Sequence, residues 1–231
     1  MRRATDGDGQ PADACASVLV VKVFPRTPHL AWSGYVGRDD LRMTEEETID
    51  FVSRMTVVQE KLDGANVSIR IEHGRVVLEN RGKPISAHEQ FDRLKAWAAA
   101  RPSLIDLGDR TLYGEWLFAQ HGTPYEQLPD YFIAYDVWEN DMFLSAKDVR
   151  AACEALGIGS SPALDLRRRR DDLLALASGR SLFGTGRREG VYCRIEEEGR
   201  CIARAKLVRP GYKPRSDEEW ERHGVMRNKL R

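Results

Sequence analysis

Lys61 is the residue around which the possible chemistry of this chain is organised. It lies between Glu60 and Asp63, and Gly64 follows directly. The alternating run at residues 67–71 predicts a strand with apolar side chains on one face and polar ones on the other. Lys61 is therefore expected at a strand edge, where the glycine permits close approach of another backbone. These residues alone fit two interpretations: a nucleophilic lysine, or an ordinary surface lysine in an acidic neighbourhood.

Two later segments each predict a strand with a polar side chain among apolar neighbours. Glu115 lies within residues 111–117, and a carboxylate in such surroundings is costly unless it has a partner, a ligand or a metal. That argument makes Glu115 a site candidate. Tyr135 lies within residues 132–138, and its ring fits either core packing or stacking on a base.

Further charged residues stand at or near the ends of predicted strands. Arg81 leaves a strand into a glycine turn, and Glu189 precedes Gly190 at the start of another strand. Arg204 and Lys206 lie two residues apart on the last predicted strand, so their side chains point to the same face. Taken alone, Arg81 fits a solvated turn arginine, and no single residue of this group is specific.

In this order the residues resemble the motifs of the covalent nucleotidyltransferases, the superfamily of ATP-dependent DNA ligases, RNA ligases and mRNA capping enzymes. The resemblance covers about residues 18–214. Residues 60–66 resemble the RNA ligase branch and its RNA ligase 2-like adenylyltransferase domain, because DNA ligases usually carry an arginine where Asn66 stands. One departure is Arg204, which replaces the first of two lysines in the last motif; it keeps the charge and changes the geometry.

The resemblance implies an ATP-dependent RNA ligase that works through a covalent lysyl-AMP intermediate. Lys61 would attack the α-phosphorus of ATP, AMP would pass to an RNA 5′-phosphate, and a 3′-hydroxyl would displace it. The implied catalytic residues are Lys61, Asp63, Arg81, Glu115, Glu189 and Lys206. The implied nucleotide-binding residues are Glu60, Lys61, Asn66, Arg81, Glu115, Tyr135, Glu189, Arg204 and Lys206. The implied ligands of Mg²⁺ or Mn²⁺ are Asp63, Glu115 and Glu189.

Individual roles follow from the same resemblance. Glu60 and Tyr135 would select adenine, while Arg81 would contact the ribose and phosphates. A lysine amine has a reference pKa of about 10.4, so it is protonated at neutral pH and cannot attack until its pKa is lowered. We therefore expect Lys206, Arg204 and a bound magnesium ion to provide positive potential near Lys61.

The implied fold is the α+β nucleotidyltransferase fold, in which antiparallel sheets flank an ATP groove and helices lie at the periphery. The expected organisation is a disordered leader at residues 1–16, an adenylyltransferase domain at 17–214 and a C-terminal tail at 215–231. Only about 25 residues follow Lys206, too few for the oligonucleotide-binding domain that many ligases carry. This expectation leaves room for a protein partner that supplies a second domain.

Composition limits the class of protein without selecting a function. The chain has 231 residues, 42% of them hydrophobic, and 36 basic residues balance 36 acidic ones. A neutral chain disfavours purely electrostatic binding to nucleic acid but permits a local basic groove. The longest apolar run, residues 18–23, is far shorter than the roughly 20 residues of a membrane span. We expect a soluble, cytoplasmic protein whose four cysteines are reduced.

Several alternatives stay open at this point. The chain fits a DNA ligase, a capping guanylyltransferase or a stand-alone adenylyltransferase of the same superfamily, and a non-catalytic RNA- or nucleotide-binding protein with this fold. RNA repair is the expected context of a ligase. His29 fits either a phosphate contact or a packed loop histidine. The four arginines at residues 167–170 fit either a nucleic-acid grip or the solvated start of a helix.

Overall fold

The computed structural model describes residues 24–215, 219, 222 and 224–231. Within them, one continuous sheet carries four α-helices and a short 3-10 helix. Helices α1 to α4 span Glu45–Arg54, Glu89–Ala99, Ala146–Ala155 and Arg170–Ala177, and the 3-10 helix spans Pro102–Leu107. Strands β1 to β11 span Val57–Lys61, Ala65–Glu72, Arg75–Asn80, Lys83–Pro84, Thr111–Trp116, Phe132–Glu139, Met142–Leu144, Gly159–Ser160, Ala163–Leu164, Gly190–Glu197 and Arg200–Val208.

The sheet is almost entirely antiparallel. Its strands run in the order β4-β3-β2-β5-β6-β7-β11-β10-β1-β9, and β8 adds to β6 in parallel. The short strand β7 pairs with β6 on one side and with β11 on the other, so it joins two halves of the sheet. The α+β class predicted from the sequence is confirmed.

The two halves fold over so that their polar faces oppose each other. Tyr192 on β10 donates a hydrogen bond to Asp136 on β6 at 2.9 Å, and Arg194 on β10 contacts the same carboxylate at 2.5 Å. Strands β7 and β11 lie between β6 and β10 in the sheet order. Direct side-chain contact across that gap requires a strongly curved sheet. The enclosed space is a groove lined by polar residues of both halves.

The apolar faces of the sheet point outward and are covered by helices. Phe91 and Leu94 of α2 are buried against Ile69 of β2 in one core. A second core packs Phe51 of α1 against Leu207 of β11, on the other half of the sheet. Burial of a phenylalanine or leucine side chain contributes about 1.5–3 kcal/mol. The helices are therefore peripheral, as predicted, and the groove is left to polar residues.

Local sequence signals account for the ends of these elements. Thr44 caps α1 by accepting a hydrogen bond from the Glu47 amide at 3.2 Å, and the Glu47 carboxylate accepts one from the Thr44 amide at 2.7 Å. This reciprocal pair satisfies two amides that the first helical turn leaves open. The predicted hairpin between β2 and β3 turns through His73 and Gly74, which have φ of 50° and 70°. Positive φ at both positions matches the right-handed strand twist.

The C-terminal segment differs from the polar tail that the sequence predicts. Residues 224–231 pack against the loops after β5, and Asn228 is only 3% exposed. Its side-chain amide donates to the Leu117 carbonyl at 2.8 Å, and its carbonyl oxygen accepts from the Tyr125 amide at 2.8 Å. The structure thus describes this segment as a strap bound to the domain, which we call the C-terminal strap (residues 224–231).

Some sequence predictions fall outside the described residues. The leader at residues 1–16 does, and so does the predicted strand at 17–24 except for Phe24. Cys153, Cys193 and Cys201 are buried and form no disulfide in the described residues; their reduced state stays a prediction. Within the part of the chain that the structure describes, no helix is long and apolar enough to cross a membrane.

Candidate active site

Lys61 lies at the C-terminal end of β1, at the rim of the groove. Its side chain is 24% exposed, and its Nζ atom lies 2.6 Å from Oε2 of Glu189. In the β1–β10 pairing Lys61 stands opposite Gly190, where a Cβ atom would lie 2.1 Å from the Leu207 carbonyl oxygen. A side chain at position 190 would therefore force β10 and β11 apart. Glycine at that position holds Glu189 within reach of the lysine.

Three carboxylates dominate the electrostatics of Lys61. Burial alone would lower the pKa of the amine, but the charges of Glu189, Glu115 and Asp63 outweigh it and raise the pKa above the usual value. This is opposite to the expectation that neighbouring cations lower the pKa. The physical reason is proximity: Glu189 is in contact with Lys61, while Lys206 is bound to another carboxylate. In this state Lys61 is a protonated amine.

Glu115, which is partly buried, and Glu189, which is buried, flank the lysine. Burial raises the pKa of Glu115 to about 7 and that of Glu189 to about 8, although Lys61 opposes both shifts. Glu115 accepts a hydrogen bond from the Gly64 amide at 3.0 Å. Gly64 itself has no room for a side chain, because a Cβ atom would lie 2.5 Å from the Trp116 carbonyl oxygen. Gly64, the glycine of the lysine motif, thus allows the contact that places Glu115 in the site.

The Asp63 carboxylate is used mainly to hold loops together. Its Oδ2 accepts hydrogen bonds from the amides of Gly122 and Thr123 at 2.8 and 2.6 Å, and its Oδ1 accepts from the Tyr212 hydroxyl at 2.8 Å. The Asp63 amide donates to the Tyr125 hydroxyl at 2.8 Å. These bonds fix the lysine motif against two separate segments of the chain, the loop at residues 122–125 and the segment around Tyr212.

The donor set fits a divalent cation that is shared with a phosphate ligand. No group of three or more His, Cys, Asp or Glu in the described residues is arranged to hold a metal by itself. Glu115, partly buried, and Glu189, buried, nevertheless place two carboxylates beside a single amine. Magnesium typically binds through one or two carboxylates, waters and substrate phosphates. The residues present therefore fit such a cation, whereas the predicted third ligand, Asp63, is committed to loop contacts.

Arg204 and Lys206 point to the groove face of β11, as predicted, but they have different partners. Arg204 Nη1 lies 3.2 Å from Asp136, and its guanidinium carbon lies 3.7 Å from the centroid of the Phe143 ring. Lys206 Nζ lies 3.1 Å from Oδ1 of Asp40. Burial lowers the pKa of Lys206, and the charge of Lys61 lowers it further. The two lysines are thus close enough to influence each other.

The structure places some of the predicted base- and ribose-binding residues at the groove and one of them on the opposite face of β1. Tyr135 is partly exposed, and its hydroxyl contacts the side-chain amide of Asn66 across the groove face. Arg81 is exposed at the turn after β3, with φ of 50°, and its charge acts on Glu115. Glu60 lies on the opposite face of β1, where it accepts from the Ser181 hydroxyl at 2.6 Å and from the Leu182 amide at 2.8 Å. Its carboxylate does not join the group around Lys61.

Two other sequence ambiguities are resolved by the described contacts. His29 is 1% exposed and packs between Ser33 and Asp40, so it is a packed loop histidine. The arginine run opens α4 with side chains that are largely exposed, and Arg168 donates to the Met55 carbonyl at 2.6 Å. Those contacts fit a solvated helix start.

Sequence reasoning missed a group of residues at the floor of the groove. Asp136 and Arg194 form an ion pair in which both side chains are 0% exposed. The argument that selected Glu115, a charge within an apolar strand, applies equally to both of them. Asp40 carries no such signal, because it lies in a polar loop and meets Lys206 only through the fold.

Comparison with known proteins identifies the architecture. A model of the RNA ligase family matches residues 54–208, and no curated protein matches. A structure of Naegleria gruberi RNA ligase with PPi is 18% identical, with a TM-score of 0.55 over 93% of this chain and 64% of that one. An alanine mutant with ATP and Mn is 18% identical, with a TM-score of 0.53 over 71% of this chain and 52% of that one.

A further mutant of the same Naegleria ligase, with AMP and Mn, is 18% identical and has a TM-score of 0.54 over 69% of this chain and 51% of that one. This chain thus spans about half to two thirds of the length of these structures. The likeness shows the fold, and the predicted nucleotidyltransferase fold is confirmed.

Proposed function

The chain belongs to the RNA ligase family, and we propose that it is an ATP-dependent RNA ligase that forms a covalent lysyl-AMP intermediate at Lys61. The observation that carries the proposal is the placement of Lys61. Its amine lies in the groove, 2.6 Å from Glu189 and close to the partly buried carboxylate of Glu115. An amine beside two carboxylates, with a second lysine two strands away in the same half of the sheet, suits a reaction at a phosphate that carries a divalent cation.

The proposed cofactors are ATP and Mg²⁺ or Mn²⁺. Two of the Naegleria structures that share this fold contain ATP or AMP and Mn. Glu115 and Glu189 would hold the cation, largely through its waters and the phosphate oxygens. When bound, the cation supplies positive charge that offsets the carboxylates and the phosphate oxygens.

The first proposed step joins Lys61 to AMP. The lysine must first lose a proton, and its hydrogen bond to Glu189 gives that proton a direct path off the amine. The nitrogen then attacks the α-phosphorus, an N–P bond forms, the bond to the β-phosphate oxygen breaks, and pyrophosphate leaves with the bonding electron pair. Lys206 and Arg204, on the groove face of β11, neutralise the charge that grows on the α-phosphate oxygens.

Nucleotide recognition is proposed to fall to the groove residues on the other half of the sheet. Tyr135 presents its ring for stacking on adenine, and Asn66 holds the ring through its hydroxyl. Arg81, exposed above Glu115, contacts the ribose and phosphates. Glu60, whose carboxylate accepts hydrogen bonds from Ser181 and Leu182 on the opposite face of β1, is the further candidate for adenine selection.

The second and third proposed steps act on RNA. AMP passes from Lys61 to an RNA 5′-phosphate, which creates a good leaving group. A neighbouring 3′-hydroxyl then attacks that phosphate, AMP leaves, and a phosphodiester bond remains. The family assignment favours RNA over DNA, and Asn66 favours it as well. A protein partner that supplies further strand contacts remains part of the proposal.

The direct test is to mix the purified protein with ATP and Mg²⁺ and measure its mass. We expect a covalent AMP adduct that maps to Lys61 by peptide sequencing and is absent in Lys61→Ala. The adenylylated protein should then seal a nicked RNA duplex more efficiently than a DNA one. Failure of the wild-type protein to form an adduct, or an adduct at another residue, would refute the proposed function.

A further inference from the structure

A chain of hydrogen bonds connects the side chain of Lys206 back to its own strand. Lys206 Nζ lies 3.1 Å from Oδ1 of Asp40, and Oδ2 of Asp40 lies 3.1 Å from Nε2 of His29. His29 Nδ1 lies 2.9 Å from the hydroxyl of Ser33, which accepts from the Val208 amide at 3.0 Å. The sequence separation between Asp40 and Lys206 is 166 residues, so the contact exists only in the folded protein.

The backbone around this chain is equally constrained. The Lys206 amide donates to the Pro28 carbonyl at 2.9 Å, and the Leu30 amide donates to the Lys206 carbonyl at 2.9 Å. The segment before α1 therefore pairs with β11 at Lys206 itself. The His29 amide also donates to the Leu41 carbonyl at 2.8 Å, next to Asp40. Asp40 is thus held on a loop that is tied to the strand it serves.

His29, the histidine in this series of hydrogen bonds, is neutral. Burial lowers the pKa of His29 to about 4, and the charge of Lys206 contributes in the same direction. A neutral imidazole has one N–H, and the Asp40 carboxylate can only accept, so the proton lies on Nε2 and points to Asp40. Nδ1 then accepts from the Ser33 hydroxyl. Asp40 keeps its full negative charge and directs Oδ1 to Lys206.

From this geometry we propose that Asp40 is a positioning residue for Lys206, and that His29 fixes Asp40 in the required orientation. Lysine has a flexible four-carbon stem, so a lysine that acts at a defined phosphate oxygen needs an anchor. Asp40 provides it and keeps Lys206 away from Glu189, which is bound to Lys61. The inference rests on the proposed function, because it assumes that Lys206 acts in AMP transfer.

Asp40 also acts on the charge of Lys206. The charged and titratable groups that face Lys206 are Asp40 and His29 on the loop, Lys61 on β1 and Glu189 before β10. Burial and the charge of Lys61 lower the pKa of Lys206, whereas the hydrogen bond and charge of Asp40 oppose that shift. Loss of the Asp40 charge would therefore leave Lys206 less protonated at alkaline pH as well as less well placed.

The test compares Asp40→Asn with wild type and with Asp92→Asn, which removes the same charge from an exposed pair with Lys95. The single-turnover rate of AMP attachment and the KM for ATP are measured from neutral to alkaline pH. For Asp40→Asn we expect the maximal rate to fall roughly 10- to 100-fold, as for a displaced catalytic group. We expect KM to stay constant or to decrease, and the alkaline limb of the rate profile to move to lower pH. Asp92→Asn should match the wild type.

A second pair of variants keeps the test independent of how Asp40→Asn folds. His29→Gln retains an N–H donor toward Asp40 and should preserve most of the rate, whereas His29→Leu removes the donor and should lower it. Equal rates and equal alkaline limbs in wild type and in folded Asp40→Asn, or equal rates in the two His29 variants, would overturn the inference alone. A wild-type protein that forms no adduct would instead refute the proposed function.

Discussion

Arg194 and Asp136 connect the two halves of the sheet beneath the groove. Arg194 Nη1 lies 2.5 Å from Asp136 Oδ1, and neither side chain is exposed to solvent. The same guanidinium donates to the Leu144 carbonyl at 2.6 Å, and Tyr192 donates to the other oxygen of Asp136 at 2.9 Å. A buried pair with additional hydrogen bonds is satisfied, so it holds the two walls of the groove at a fixed separation.

Replacement of one member of this pair is expected to destabilise the fold strongly. Asp136→Ala leaves a buried guanidinium without its carboxylate, and breaking a buried pair from one side costs about 3–5 kcal/mol. The measurement is the free energy of unfolding in urea. The control is Glu154→Ala, which removes the exposed partner of Arg150 and should change the free energy by less than about 1 kcal/mol. Similar losses in the two variants would contradict the assigned role of Asp136.

Glu189 is expected to have two opposite effects on Lys61. Its charge keeps the amine protonated, and its carboxylate assists AMP attachment. Because its charge raises the pKa of Lys61, Glu189→Gln should lower that pKa and make the amine more reactive toward a small acylating reagent. AMP attachment should nevertheless fall about 100-fold or more, because the variant loses a carboxylate that faces the cation and the proton path. Competitive labelling of Lys61 followed by mass spectrometry measures the first effect, and adduct formation measures the second.

The opposite directions of these two effects make the prediction specific. A merely structural defect at Glu189 would disorder the lysine and change both readouts without such a contrast. Glu197→Gln is a suitable control. That carboxylate is exposed at the far end of β10, the strand that Glu189 precedes, and pairs with Arg54 at 3.5 Å. If Lys61 in Glu189→Gln became less reactive toward the acylating reagent, the electrostatic account of the site would be wrong.

Much of the fold follows from the sequence because its signals are local. The alternation after Lys61 predicts β2, and paired positive-φ positions at the hairpin turns match their turn residues. The cap at Thr44 predicts the start of α1, and the structure confirms it. In each case the residues that decide the structure lie within a few positions of one another.

The site is less accessible to such reasoning because its contacts depend on how the sheet curves. The sequence shows which of the site residues are charged, but it does not show how they pair. In the structure Glu189 pairs with Lys61, and Asp40 pairs with Lys206. That choice decides whether the pKa of Lys61 is lowered or raised. These interactions depend on distances of a few ångströms. The curvature of the sheet sets those distances, because the paired residues are more than a hundred positions apart in the sequence.

The contribution of His29 to stability is expected to decrease in mildly acidic solution. Its pKa is about 4 in the folded protein and 6.5 as a model value, so the unfolded chain binds the proton more readily between those values. The stability that depends on neutral His29 is therefore complete above pH 6.5 and is lost as pH falls toward 4, by at most about 3 kcal/mol. Urea unfolding measured from pH 7 to pH 4 tests this.

The variant His29→Gln isolates this contribution, since glutamine does not titrate. Its free energy of unfolding should rise relative to that of the wild type as pH falls from 6.5 to 4, whereas the two curves should run parallel above pH 7. Asp40 does not produce the same effect there: although burial opposes the shift, the hydrogen bond from Lys206 lowers the pKa of Asp40 to about 2. Parallel curves between pH 7 and pH 4 would exclude His29 as the titrating group.

The C-terminal strap is expected to stabilise the lysine motif through Tyr125. Asn228 accepts from the Tyr125 amide at 2.8 Å, and the Tyr125 hydroxyl accepts from the Asp63 amide at 2.8 Å. Asn228→Ala leaves the Tyr125 amide and the Leu117 carbonyl unpaired, at about 1–3 kcal/mol for each buried group. Hydrogen exchange at the Asp63 amide should therefore become faster, and the free energy of unfolding should fall. The control is Lys229→Ala, which changes an exposed neighbour on the same strap and should leave both measurements unchanged. A lower free energy of unfolding in Asn228→Ala without faster exchange at Asp63 would show that the strap stabilises the domain but does not act on the lysine motif.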